Sequence, residues 1–86
     1  MDGIRMGEKM TIVGYRDVNF TDDNGREVRG RSYYFNMPSD GVTGELAGKL
    51  FISEKLLSEL NYRPQPGDEV IAHYNRFGKV GQFELV

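Results

Sequence analysis

The chain has 86 residues, 38% of them hydrophobic and 28% charged, with a net charge of −2. That length holds one domain with an ordinary globular balance, and the lack of cysteine excludes a disulfide framework or thiolate chemistry and suits a reducing cytoplasm. No apolar run approaches ~18 residues and the opening MDGIRMGEKM has no apolar core, so no membrane helix or signal peptide is expected.

Residues 1–8 show no period and read as a flexible N-terminal segment ahead of a single domain over 9–86. Over 9–20, Met10, Ile12, Val18 and Phe20 share one parity and Val13 and Tyr15 the other, which predicts a long strand bent near Gly14. TDDNGR (21–26) contains Asn24-Gly25, a strong hairpin signal. A two-residue turn there would set Tyr15 against Tyr34, Arg16 against Tyr33 and Val18 against Arg31. Residues 27–37 form the return strand, and MPSDGVTG (37–44) is a loop.

A short third strand is expected over 48–52. Ser53 then caps a short helix over 53–61, with Glu54 near the positive end of its dipole and Leu56, Leu57 and Leu60 on one apolar face. YRPQPGD (62–68) leads into a last hairpin. With the turn at Phe77-Gly78, Val70, Ala72, Tyr74, Gly81, Phe83 and Leu85 share the core parity, and Val80 falls on the other. Phe20, Phe51 and Phe83 are the expected core phenylalanines. The order strand, strand, strand, helix, strand, strand predicts a mainly β protein: a small five-stranded OB-type β-barrel with one short helix between strands 3 and 4. An SH3-like barrel or an unclosed α+β sheet is the alternative architecture.

Charge is distributed unevenly. Between positions 39 and 69 six acids face three bases, whereas 26–31 carries three arginines against Glu27, and the tip of the last hairpin adds Arg76 and Lys79 with no acid. Local positive charge on a near-neutral chain is the form of an anion-binding face, or simply of solubilising charge.

Enzymatic chemistry finds little support. The one histidine, His73, lies in a strand, Asp22-Asp23 is ordinary turn chemistry, and neither G-x-G-x-x-G nor a phosphate loop occurs. No enzyme, cofactor or metal site is expected. Binding is better served. OB barrels take oligonucleotides on strands 2 and 3 and on the loops joining strands 1–2 and 4–5. Strand 2 alternates Arg29 and Arg31 into Tyr33-Tyr34-Phe35, with Arg16 facing it, and loop 4–5 is the Arg76-Phe77-Gly78-Lys79 tip. Cations replace phosphate counterions and rings stack on unpaired bases, so both ingredients of single-strand binding are present. Tyr33 and Tyr34 point to opposite faces of a regular strand, so at most one of them readily reaches solvent. Phe77 either stacks on bases or folds back to plug the barrel mouth. Asp22 and Asp23 oppose phosphate.

The stretches GREVRGRSYYF (25–35), PGDEVIAHY (66–74) and NRFGKVGQFEL (75–85), with the size and element order of 9–86, resemble small single-stranded DNA-binding, helix-destabilising proteins of bacteriophages and related mobile elements. The resemblance implies an OB-type barrel, a cytoplasmic homodimer, and sequence-independent coating of single strands in DNA replication or recombination, without a cofactor. By position it implies that Arg29, Arg31, Tyr33 or Tyr34, and Phe77 contact the nucleic acid. Single-stranded DNA is the expected partner, RNA a variant of it, with replication or recombination proteins as further partners and no membrane. The departures from that family are the negative net charge and the Asp22-Asp23 turn. A protein–protein adaptor of the same fold, with Phe77 as an apolar anchor, is the alternative from another class.

Overall fold

Two hairpins built on one loop design organise the chain. In the first, DDNGR (22–26), Asp22 Oδ1 accepts from the amides of Asn24 and Arg26, both at 2.9 Å, and Asp22 N donates to Arg26 O at 2.8 Å. In the second, NRFGK (75–79), Asn75 Oδ1 accepts from the amides of Phe77 (2.9 Å) and Lys79 (3.1 Å), and Asn75 N donates to Lys79 O at 2.7 Å. Each loop has three residues between its closing pair. Gly25 (φ 81°) and Gly78 (φ 78°) take the left-handed conformation that this turn-plus-bulge geometry demands. Loop length is therefore set by the acceptor side chain at its first position and the glycine at its fourth.

The computed structural model describes residues 8–86, with β1 (Glu8–Thr21), β2 (Glu27–Met37), β3 (Leu46–Ser53), α1 (Glu54–Glu59), β4 (Glu69–Tyr74) and β5 (Val80–Leu85). The element order is the one expected. The flexible segment expected over 1–8 lies, apart from Glu8, outside the described residues. Five antiparallel strands form one sheet in the order β3-β2-β1-β4-β5.

Three expectations are corrected by register. The three-residue first loop shifts the β1–β2 pairing by one, so Tyr15 faces Tyr33, Arg16 faces Ser32 and Asp17 faces Arg31. The expected bend is present as a bulge: Ile12 pairs with Phe35 and Gly14 with Tyr34, leaving Val13 extra. One extra residue inverts the faces of everything beyond it. Met10 and Ile12 point inward, but Arg16, Val18 and Phe20 turn outward, so Phe20 is exposed rather than core. In the last hairpin a second irregularity skips Gly81, with Tyr74 opposite Val80, and brings Val80 into the core. Phe51, between inward-facing Leu50 and Ile52, is also exposed; of the three expected phenylalanines only Phe83 is buried.

The core comprises Met10, Ile12, Tyr33, Ile52, Leu60, Val70, Ala72, Val80 and Phe83. The Tyr33 and Phe83 ring centroids lie 5.5 Å apart although β2 and β5 are three positions apart in the sheet. Strands in a flat sheet so placed would be separated by roughly 14 Å, so the sheet coils over its own inner face. It does not close into a hydrogen-bonded barrel: β3 and β5 are its two edges. The helix end reaches β5 instead. Gln82 Nε2 donates to Glu59 O at 3.1 Å, and Gln82 Oε1 accepts from Asn61 N at 2.7 Å. Ser53 caps α1 as expected, its Oγ accepting from Leu56 N at 3.3 Å. Leu60, at the C-cap, is the buried leucine, and Leu56 and Leu57 are half-buried against the core.

The connector to β4 is tied at both ends. Asp68 accepts from the Tyr62 hydroxyl and from Gln65 N (2.8 Å), and Ile12 exchanges backbone hydrogen bonds with this loop through Asp68 O and Gly67 N. The Tyr62 hydroxyl, and after it the Gln65 backbone amide, hold the Asp68 carboxyl below its usual pKa, and the hydrogen bond to Asp68 raises that of Tyr62.

Candidate functional site

The eight residues singled out in the sequence divide among three places. Arg16 and Tyr34 project from the outward face of the sheet. Arg29, Arg31 and Tyr33 belong to the inward parity of β2. Arg76, Phe77 and Lys79 occupy the tip of the second hairpin.

The inward group is engaged within the protein. Tyr33 is fully buried, its ring 5.6 Å from that of Tyr15. Arg31 Nε donates to Asp17 Oδ1 at 2.7 Å, and its guanidinium stacks 4.0 Å from the Tyr15 centroid, with only 15% of the side chain accessible. The hydrogen bond to Asp17, opposed by burial, raises its pKa above the usual arginine value. A guanidinium so placed covers the end of the core. Arg29 is more accessible and pairs with Glu27 at 2.9 Å.

The tip stands in solvent. Phe77 is 73% exposed, with the Arg76 guanidinium 5.1 Å from its ring centroid. It does not plug the coiled sheet, because a three-residue loop closed on the Asn75 side chain leaves position 77 nothing to fold onto. Asp22, at the corresponding position of the first loop, is likewise spent on backbone amides rather than presented to a ligand.

The outward face carries residues that the sequence reading placed elsewhere. Alternation in LAGKLFIS (46–53) sends Ala47, Lys49 and Phe51 outward, and the β1 bulge sends Phe20 out beside Val18 and Arg16. Arg16, Val18, Phe20, Lys49 and Phe51, with Val28, Ser32 and Tyr34, line an open cleft of about 380 Å³ across β1, β2 and β3. Pairing sets Arg16, Ser32 and Phe51 in one row and Gly14, Tyr34 and Lys49 in the next. Phe20 and Phe51 are 52% and 46% exposed, and Tyr34 is half-buried. Among the described residues neither Arg16 nor Lys49 belongs to an ion pair, so both charges face the cleft without a carboxylate partner. The signal for Phe51 was present in the alternation of β3; the signal for Phe20 was hidden by the bulge.

Among the described residues no group of His, Cys, Asp or Glu is arranged to hold a metal ion, and no helix is long and apolar enough to cross a membrane. No family model, curated protein or solved structure matches this chain.

Proposed function

We propose that the protein is a non-catalytic binder of single-stranded nucleic acid, DNA in the first instance, and that the outward face of β1–β3 is its principal contact surface. The observation that carries this reading is the company kept in one cleft: two exposed rings, Phe20 and Phe51, and half-buried Tyr34, with two cations, Arg16 and Lys49, that have no acid partner among the described residues. Unpaired bases stack on such rings with little regard to sequence, and the cations displace counterions from the phosphates. Arg76, Phe77 and Lys79 supply a second contact of the same chemistry on the tip.

The element order, the bulged β1 that pairs with both β2 and β4, and the coiling of the sheet support an OB-type barrel left open between β3 and β5. That architecture binds strands on this same region. We further read the protein as a cytoplasmic homodimer of the phage or mobile-element kind, acting in replication or recombination.

The test is a titration of fluorescein-labelled (dT)15 and of a duplex of equal length at two salt concentrations. Single strands should bind more tightly, with log K falling linearly in log salt by about 0.7 per phosphate contact. Equal affinity for the duplex would refute the reading. Failure to bind either form would leave an adaptor, for which the apolar outward face is the docking surface.

A further inference from the structure

We propose that Phe51, seated on Gly30, is the central base-stacking platform of the outward face, and that Gly30 is the residue that positions it; the proposal rests on the single-strand reading above. Gly30 lies mid-strand in β2, opposite Val18 on β1 and Ser53 on β3. Glycine weakens a strand interior, and Gly30 is not among the glycines of positive φ, so its backbone conformation does not require it. Close approach does. A Cβ at position 30 would lie 2.3 Å from the backbone carbonyl oxygen of Ile52, 2.5 Å from Phe51 Cζ and 2.9 Å from Cε1, all nearer than side chains pack. The Phe51 ring therefore leans diagonally across β2 and rests where a side chain would stand.

The inner face shows the same device put to another use. The Phe35 ring rests on Gly48, with Cζ 2.6 Å from the position a Cβ would take, but Phe35 is partly buried against the core. Phe51 on Gly30 packs no core, and nearly half of it remains exposed. A ring held against the sheet with one side in solvent offers a base a surface that loses little side-chain freedom on binding. Arg16 lies in the same row as Phe51, two strands across, and Lys49 precedes it by two residues on the same face, so phosphates near a stacked base have two cations within the same cleft.

The experiment is a double-mutant cycle on the whole chain: wild type, Gly30→Ala, Phe51→Ala and the double variant, each titrated with (dT)15 at two salt concentrations and each melted. Phe51→Ala should weaken binding by about 5- to 150-fold at both salts without changing the salt slope, because a ring releases no counterions. Gly30→Ala should cost a comparable factor alone and markedly less once Phe51 is gone, the remainder being the contact with the Ile52 backbone. Equal fold-losses from Gly30→Ala with and without the Phe51 ring, or unchanged affinity in Phe51→Ala, would overturn the proposal. The backbone carbonyl of Ile52 also approaches position 30, so Gly30→Ala presses on β3 as well. If that variant does not fold, Phe51→Trp decides: the chain has no other tryptophan, and its fluorescence should be quenched as (dT)15 binds, whereas an unquenched signal refutes the platform. If wild type binds but Phe51→Ala binds equally well, only this proposal fails. If wild type does not bind (dT)15 at all, the single-strand reading fails and takes it along.

Discussion

Replacing Phe77 with alanine separates a binding ring from a structural one. At 73% exposure the side chain keeps roughly a quarter of its surface from water. Full burial of a phenylalanine stabilises by about 1.5–3 kcal/mol, so the fraction lost is about 0.5 kcal/mol. The Arg76 contact, at an exposed site, adds about 0.5 kcal/mol. A total near 1 kcal/mol lowers the melting temperature of a domain this size by roughly 4–8 °C at most. Phe83→Ala is the internal control: that ring is buried against Tyr33, and its loss should cost about 3–5 kcal/mol, which threatens the fold itself. If Phe77 stacks on a base, the same substitution weakens single-strand binding by about 1–3 kcal/mol. Thermal melting and a (dT)15 titration at one fixed salt concentration, on the same preparations, measure both. A fall in melting temperature far beyond 8 °C would show that the loop depends on its ring in spite of the exposure. Unchanged affinity would remove the tip from the binding surface and leave the outward face alone.

Leu60→Ala should cost about 2–5 kcal/mol in denaturant unfolding, and half-buried Leu57→Ala clearly less; equal losses would contradict the docking of α1 through its C-cap. Gly25→Ala and Gly78→Ala should each cost roughly 1–2 kcal/mol from the left-handed backbone alone, since a Cβ meets nothing within 4 Å at either site, and a neutral effect would refute the three-residue loop geometry. Asp68, whose pKa is lowered in the folded protein chiefly by the Tyr62 hydroxyl and then by the Gln65 amide, contributes stability that is present at neutral pH. That contribution should disappear only as pH falls below the ordinary aspartate value of about 3.9 and through the depressed one, and Asp68→Asn should remove this component from an acid-unfolding curve. An acid limb identical in the variant would show that the clamp contributes nothing. Lys49→Gln should lower the salt slope of (dT)15 binding by about 0.7 while leaving the fold intact, in contrast to the vertical shift expected of the rings.

The chain's local chemistry was enough to place its elements. Ser53 before Glu54 marked the helix start, Asn24-Gly25 and Phe77-Gly78 marked the two hairpins, and alternation marked the strands, because caps, turns and pleats are decided within a few residues. What lay beyond local reach was which face each side chain occupies. A third loop residue in the first hairpin and one bulged residue, Val13, moved Phe20 from core to surface and set Tyr15 rather than Arg16 against Tyr33. Period two makes face assignment all-or-none, so a one-residue slip exchanges the candidates wholesale. Arg31 reads in sequence as a free cation, yet pairing with Asp17 and stacking on Tyr15, fourteen and sixteen residues away, turn it into part of the core's cover. The meeting of Arg16, Lys49, Phe20, Tyr34 and Phe51 in one cleft depends on three strands lying side by side in one register, and only the folded sheet brings them there.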